Sequence, residues 1–215
     1  VAVIVPCFNE DATILTLVKR VLDSPWVADV VIVDDGSTDG TRDRLGTLDD
    51  SRITVELHDR NRGKGAALRT GFALAKADYV IVQDADLEYD PAEYGEMVGP
   101  LESGSADVVY GSRFVSSRPH RVLYFWHSLG NRGLTFLSNM ATDLNLTDME
   151  TCFKAFRREV IQSIEIEEDR FGFEPEVTAK VAALGVRIFE VGISYDGRTY
   201  ADGKAVFYAE SLGPD

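Results

Sequence analysis

The chain has 215 residues, 45% of them hydrophobic, and a formal net charge of −14. That suits one domain with a full core and argues against a general nucleic-acid binder, which would need a basic face to neutralise phosphates. Its two cysteines, Cys7 and Cys152, give no disulfide framework or metal-thiolate spacing, so reduced thiols in a cytosolic protein are expected. No signal peptide and no apolar run long enough to span a bilayer occurs, and any membrane contact of these residues is expected to be peripheral, at the inner face. The chain begins on Val1 rather than Met, which leaves segments outside it open.

Residues 1–5 are an apolar run closed by Pro6, which predicts a buried strand. Residues 11–22 follow with Ile14, Leu17, Val18, Val21 and Leu22 at helical spacing. A second strand is predicted at 29–33, closed by Asp34-Asp35-Gly36-Ser37, with Thr38 or Asp39 placed to cap the next helix. Then come a strand at 53–57, a helix at 65–76 entered through a glycine-rich turn, a strand at 79–82 and a helix at 91–101 with Pro91 in its first turn. A fifth strand is expected at 107–110, ahead of Gly111-Ser112-Arg113. Beyond it, 115–129 reads as irregular, basic and aromatic, 134–144 as a helix, 151–157 as a strand, 174–184 as a helix and 186–194 as a last strand. Strands alternating with helices imply βαβ units, hence an α/β fold on a mostly parallel sheet. The change of pattern near residue 112 marks two halves of one sheet, 1–112 and 113–215, rather than a linker between domains.

In an open α/β sheet, ligands collect at the carboxyl ends of the strands. After the fourth predicted strand comes Gln83-Asp84-Ala85-Asp86-Leu87-Glu88. Hard carboxylate oxygens suit Mg2+ or Mn2+ bridging a diphosphate, with Asp84 and Asp86 as ligands and Glu88 as a third donor. A DxD alone is also what ordinary loop acids look like. After the first strand, Val5-Pro6-Cys7-Phe8-Asn9-Glu10 offers backbone to edge a base or ribose. Glu10 suits a ribose hydroxyl, or else the first turn of a helix, where negative charge is favoured. After the second strand, Asp35 suits the N–H of a nucleobase; turn and capping chemistry is the other reading of this segment. In Asn61-Arg62-Gly63-Lys64-Gly65 the glycines admit a ligand closely, and Lys64 with the helix N-terminus brings positive charge. The spacing is neither that of a Walker loop nor GxGxxG on the first βα turn.

Downstream, Asp148-Met149-Glu150-Thr151 offers a general base for an acceptor, or a plain loop acid before a strand. In the tail from Tyr195 to Lys204, Arg198 and Lys204 suit a lid over a diphosphate, or a solvated terminus. No Asp or Glu occurs from Val108 to Thr142 in a chain with 36 acids. That stretch holds Arg113, Arg118, Arg121 and Arg132, with Tyr124, Phe125 and Trp126 among them. It suits an anionic lipid head group at a membrane surface; aromatics packed on the core, or an oligomer contact, are the alternatives.

In chain order, VPCFNE, VDDGSTDGT, NRGKGAALRTGF, DADLEYDP, GSR, DMETCFKAFRR, FGFEPE and GRTYADGK resemble the family 2 inverting glycosyltransferases with a GT-A fold. Within that family the set is most similar to the dolichyl-phosphate mannose synthase branch, the polyprenyl-phosphate sugar transferases. The resemblance runs from Val1 to Lys204. It implies a single GT-A domain whose residues 1–112 bind a nucleotide sugar and whose residues 113–215 bind the acceptor and form a lid. The implied donor is GDP-mannose or UDP-glucose, the cofactor a divalent metal, Mg2+ or Mn2+, and the acceptor a polyprenyl phosphate at a membrane surface.

By this resemblance Pro6, Glu10 and Asp35 hold the nucleoside with Lys64 nearby, and Phe8 and Gly36 complete that part of the donor site. Asp84, Asp86 and Glu88 serve the metal and diphosphate, while Arg113, Arg198 and Lys204 meet phosphates of donor or acceptor. In relatives with a soluble acceptor the downstream acid is the general base. In the prenyl-phosphate branch the acceptor is already an anion, and Asp148 instead orients it or a cationic side chain. Asp86, Asp148 and Arg113 are the expected catalytic residues. Two departures stand out: many relatives carry Gln where this chain has Glu88, and the ending Ala205–Asp215 lacks the Trp/Asp/Gly-containing segment that usually follows the tail motif. The rival readings are a family 2 transferase with a soluble or saccharide acceptor, and a non-catalytic nucleotide-sugar-binding module.

Overall fold

The computed structural model describes residues 1–115 and 125–197. The β-branched runs become strands β1 (Ala2–Cys7), β2 (Asp29–Asp34), β3 (Ile53–Leu57), β4 (Tyr79–Val82), β5 (Val108–Ser112), β6 (Lys154–Arg157) and β7 (Ile188–Gly192). They form one seven-stranded sheet in the order β3-β2-β1-β4-β6-β5-β7. β1 pairs in parallel with β2 and β4, β2 with β3, and β5 with β7. β6 runs antiparallel to both its neighbours, β4 and β5. The sheet is therefore mostly parallel, as expected. Reversal of β6 has a consequence for the site: the loop that enters β6 arrives at the same edge where β1, β2, β4 and β5 end.

Helices α1 (Ile14–Leu22), α2 (Thr41–Leu45), α3 (Lys64–Leu74), α4 (Tyr94–Glu102), α5 (Phe125–Thr142), α6 (Arg158–Ser163) and α7 (Phe173–Ala183) flank the sheet, with a short 3-10 turn at Pro91–Glu93 ahead of α4. The centre of β1, β2 and β4 is closed to solvent on both faces, with Ile4, Val5, Ile32, Val33, Val80 and Ile81 fully buried. Such strands read as continuous apolar runs because helices cover both sides. Each buried aliphatic side chain contributes about 1.5–3 kcal/mol of transfer free energy. α3 lies against β1 closely enough that a Cβ on Gly71 would collide with Ile4.

Three expectations are corrected by the fold. Residues 125–129, read as irregular, are the first turns of α5. The strand expected at 151–157 begins only at Lys154, because Thr151, Cys152 and Phe153 form a buried approach to it. The helix expected from residue 11 starts at Ile14, with residues 11–13 in turns and Thr13 at the N-cap. α6 follows β6 without a break and carries too few residues to show a helical period. Among the described residues no helix is long and apolar enough to cross a membrane.

Candidate active site

The loops after β1 and β2 are fastened to each other. Asn9 N–H donates to Ser37 Oγ at 2.9 Å, Thr38 N–H to Asn9 Oδ1 at 2.8 Å, and Glu10 N–H to Thr41 Oγ1 at 2.8 Å. Glu10 accepts from the Thr13 hydroxyl at 2.5 Å through its carboxylate. Asn9 holds φ +57°, a left-handed conformation uncommon outside glycine. Pro6, the last residue but one of β1, is half-buried, and Phe8 is 42% exposed at this edge. The residue that caps the second helix is Gly40, not Thr38 or Asp39; Asp39 lies one residue before it and accepts from Thr41 N–H at 2.9 Å.

Asp34 and Asp35 point inward. Asp34 is fully buried and accepts from Arg42 Nε at 2.6 Å and Ser37 N–H at 3.2 Å. Asp35, 3% exposed, accepts from the backbone N–H of Arg62 and, at 2.6 Å, of Gly63, and its Oδ1 lies 2.7 Å from His58 Nδ1. These donors use the lone-pair directions a nucleobase N–H would need, so in this conformation Asp35 fastens the glycine-rich loop. Gly36 sits at φ +81°, and a Cβ there would collide with the backbone of Arg60 and Asn61. Only glycine lets the two loops approach this closely.

That fastened loop delivers Lys64 at the first position of α3, after Gly63 at φ +105°. Lys64 Nζ lies 2.9 Å from Asp84 Oδ1 and 3.7 Å from Glu174, and donates to Cys152 Sγ. Burial alone would lower its pKa, but Asp84, Cys152 and Glu174 together raise it well above the ordinary lysine value. Burial, then Asp84, push the Cys152 thiol well above its ordinary value.

Asp84, Asp86 and Glu88 share one half-buried turn after β4. Asp86 Oδ1 accepts from Glu88 N–H at 3.1 Å, and Leu87 between them holds φ +66°. A bulky residue in that region stores local strain, which persists only where surrounding contacts fix it. Gln83, fully buried, underpins the turn by accepting from Tyr94 OH at 2.9 Å and donating to Tyr89 O at 3.3 Å. Among the described residues no group of three His, Cys, Asp or Glu side chains converges as a metal cage. Glu88, offered as a third donor beside Asp84 and Asp86, accepts from Tyr195 OH at 2.5 Å.

Arg113 and Asp148 form the other side. Asp148 is fully buried; its Oδ2 accepts from Arg113 N–H at 3.0 Å and Nε at 2.7 Å, and its Oδ1 from the second guanidinium nitrogen at 2.7 Å. Asn131 Nδ2 donates to Oδ1 at 3.3 Å. The loop bearing Asp148 is held from below by Lys154, fully buried, whose ammonium donates to Met149 O at 3.0 Å and to Thr151 O. Glu190 on β7 accepts from Thr147 and Asp148 N–H.

Tyr195 joins the two sides. Its hydroxyl reaches Glu88, and its ring lies 5.2 Å from the Arg113 guanidinium carbon. Asp196 N–H donates to Glu88 O at 3.0 Å, so the chain leaving β7 runs along the acidic turn. Arg198 and Lys204, and with Arg118, Arg121 and Tyr124 much of the basic aromatic stretch, lie outside the described residues. The structure therefore ties Lys64 to Asp84 at one end of the acidic turn and Glu88 to Tyr195, Arg113 and Asp148 at the other, with Asp35 holding the backbone beside Lys64. His58, Cys152, Glu174 and Tyr195 are the members that spacing did not single out; a lone His or Cys beside a strand carries no pattern, and their partners come from distant segments.

The family model described as Glycosyl transferase family 2 matches residues 2–165. The chain belongs to glycosyl transferase family 2. An undecaprenyl-phosphate 4-deoxy-4-formamido-L-arabinose transferase of Proteus mirabilis is 28% identical over 214 residues, covering 96% of this chain and 63% of that protein. An undecaprenyl-phosphate mannosyltransferase of Micrococcus luteus is 29% identical over 218 residues, covering 95% of this chain and 86% of that protein. Glycosyltransferase AglJ of Haloferax volcanii is 30% identical, with 91% and 62% covered. The chain thus spans less than two thirds of the Proteus and Haloferax proteins. Glucosyl-3-phosphoglycerate synthase from Mycobacterium tuberculosis superposes with a TM-score of 0.71 at 21% identity, over 94% of this chain and 72% of that one, a likeness of fold. The family and the GT-A fold read from the motif order are borne out. Two of these family 2 relatives carry undecaprenyl phosphate in their names, consistent with the polyprenyl-phosphate branch.

Proposed function

We propose that this family 2 chain transfers a hexose from a nucleotide sugar, GDP-mannose or UDP-glucose, to a polyprenyl phosphate at a membrane surface, with inversion at the anomeric carbon. The observation that carries this reading is the state of Asp148. A general base for a hydroxyl needs an open lone pair facing the acceptor. Asp148 is fully buried, with both oxygens committed to the Arg113 fork. That geometry suits an acceptor needing no base: a phosphate, already anionic, attracted to the guanidinium that Asp148 aims. The names of the Proteus and Micrococcus relatives support the same acceptor class.

In the proposed step an acceptor phosphate oxygen attacks the anomeric carbon in line. The new carbon–oxygen bond forms as the bond to the nucleoside diphosphate breaks, and the electron pair leaves on the diphosphate. Lys64 and Arg113 supply fixed positive charge around the anions, and Tyr195 keeps water from the space between the acidic turn and Arg113. Asp84 and Asp86 would hold a divalent ion, Mg2+ or Mn2+, which neutralises charge on the departing diphosphate. The donor set fits it, because such ions take one or two carboxylates plus substrate oxygens and need no protein cage. The Mycobacterium synthase, of the same fold, has been crystallised with Mn2+ and UDP. In this proposal the donor occupies the half formed by residues 1–112 and the acceptor the half beyond.

The test is transfer of labelled hexose from each donor to polyprenyl phosphate in metal-containing buffer, for the native chain and Asp86→Ala. Transfer by the native chain and its abolition in a folded Asp86→Ala protein are expected. Undiminished transfer by the variant would overturn the site assignment. Transfer to a water-soluble sugar but to no prenyl phosphate would overturn the acceptor class.

A further inference from the structure

Amphipathic helices normally turn the apolar stripe inward. α5 does the reverse. Its inward residues are polar and recur at every fourth position: Asn131 donates to Asp148, Thr135 Oγ1 accepts from Met149 N–H at 3.1 Å, and Asn139 exchanges two hydrogen bonds with Leu146, at 2.8 and 3.1 Å. Thr135 is the buried residue of this helix. Its outward residues are large and apolar: Phe125, Trp126, Leu129, Phe136, Leu137 and Met140, each at least half exposed. At 3.6 residues per turn Phe125, Leu129, Phe136 and Met140 fall on one line, and Trp126 and Leu137 lie beside it. The outcome is a continuous stripe about a third of the helix circumference wide.

We propose that this stripe is a membrane-docking surface, and that α5 lies in the plane of a lipid bilayer with its apolar side chains among the acyl chains. The purpose of the contact rests on the membrane-held acceptor of the reading above; the surface itself is argued from α5. Two observations favour lipid over another protein copy. First, the charge fits. The helix lies within Val108–Thr142, which has no Asp or Glu in a chain of net charge −14, and Arg132 flanks the stripe. An acid-free face is what anionic head groups tolerate, whereas the acidic remainder of the surface is repelled by them. Second, the size fits. An 18-residue helix is about 27 Å long, so one stripe offers a few hundred Å2, below the roughly 800 Å2 per partner that a stable protein interface takes. An interfacial helix needs only to sink about 5–10 Å to bury that stripe. Docking would also serve the chemistry. The inner face of the same helix holds the loop of Asp148, so seating α5 on the bilayer brings the Arg113–Asp148 pair to the level of lipid phosphates.

Flotation of the chain with vesicles of equal parts phosphatidylcholine and phosphatidylglycerol, without donor or acceptor, tests this. The native chain is expected to float. The double variant Phe136→Ser, Leu137→Ser should bind at least about tenfold more weakly, as loss of two inserted side chains implies. Leu57→Ser, which alters an exposed apolar residue on β3, should bind as the native chain does. Both variants change exposed positions, so unaltered thermal unfolding is expected and confirms the fold. Transfer to a short, water-soluble prenyl phosphate should survive the double substitution, while transfer to a long-chain acceptor in vesicles should fall. Absence of native binding, or equal binding by the double variant, would overturn the proposal. So would a native dimer that the double variant splits, since the stripe would then join two copies. A native chain that uses short prenyl phosphate yet ignores vesicles would overturn the docking surface and leave the acceptor reading intact. One that docks through α5 but accepts no prenyl phosphate would do the opposite.

Discussion

Arg113 and Asp148 are 35 residues apart in sequence and joined by two parallel hydrogen bonds at 2.7 Å. A fork of this kind fixes the plane of the guanidinium as well as its position. Arg113→Lys keeps the charge but loses the plane and a donor, so kcat is expected to fall about 10–100-fold with donor affinity little changed. Steady-state kinetics with both substrates checks this, and unchanged kcat would show that charge alone suffices. The positions of Lys64, Asp84, Asp86, Arg113 and Asp148 were legible in the sequence, because each follows or precedes a recognisable strand. Their pairings were not. Asp35 reads as meeting a nucleobase or as turn chemistry, and in the structure it accepts from the loop at Arg62 and Gly63, while Asp34 beside it accepts from Arg42. Nothing local distinguishes a carboxylate that meets a ligand from one that meets its own backbone; the partner is supplied by a distant segment.

Among the elements, strands were legible because β-branched runs bounded by polar turns have few other uses; β3 and β4 occupy the residues expected of them. The sense of β6 was not, since strand direction depends on the path of the whole chain. α5 was misread at its start because a helix with polar contacts inside and apolar residues outside breaks the usual rule, and Gly130 and Gly133 weaken its propensity. The outer strands carry a pH-sensitive tie. Asp107, just before β5, accepts from Arg187 Nε at 2.9 Å and a terminal nitrogen at 2.7 Å, and lies 3.2 Å from Arg157. Hydrogen bonds from Arg187 outweigh its desolvation and hold its pKa at about 2, below the ordinary 3.8. A depressed carboxylate stabilises the fold above its unfolded value, and that contribution drains away as pH falls from about 4 towards 2. Asp107→Asn should therefore lower the urea midpoint at neutral pH and converge with the native chain in acid. Parallel midpoint-versus-pH curves for the two would contradict this.

At the scale of the whole molecule, the net charge of −14 sets the problem for the proposed transfer from a nucleotide sugar. A diphosphate approaching an acidic protein must be met by local cations, and the fold gathers Lys64 and Arg113 from distant segments around one acidic turn at the sheet edge. In the proposed site the same acidity favours a divalent ion beside Asp84 and Asp86 once a donor is present, so donor and metal are expected to bind together. Titration calorimetry of the chain with GDP-mannose and with UDP-glucose, each with and without Mn2+, measures this directly. The account predicts that one donor binds, that Mn2+ strengthens it at least about tenfold, and that Asp86→Ala removes the metal effect. A folded chain that binds neither donor, or binds one equally well with and without the metal, would contradict it.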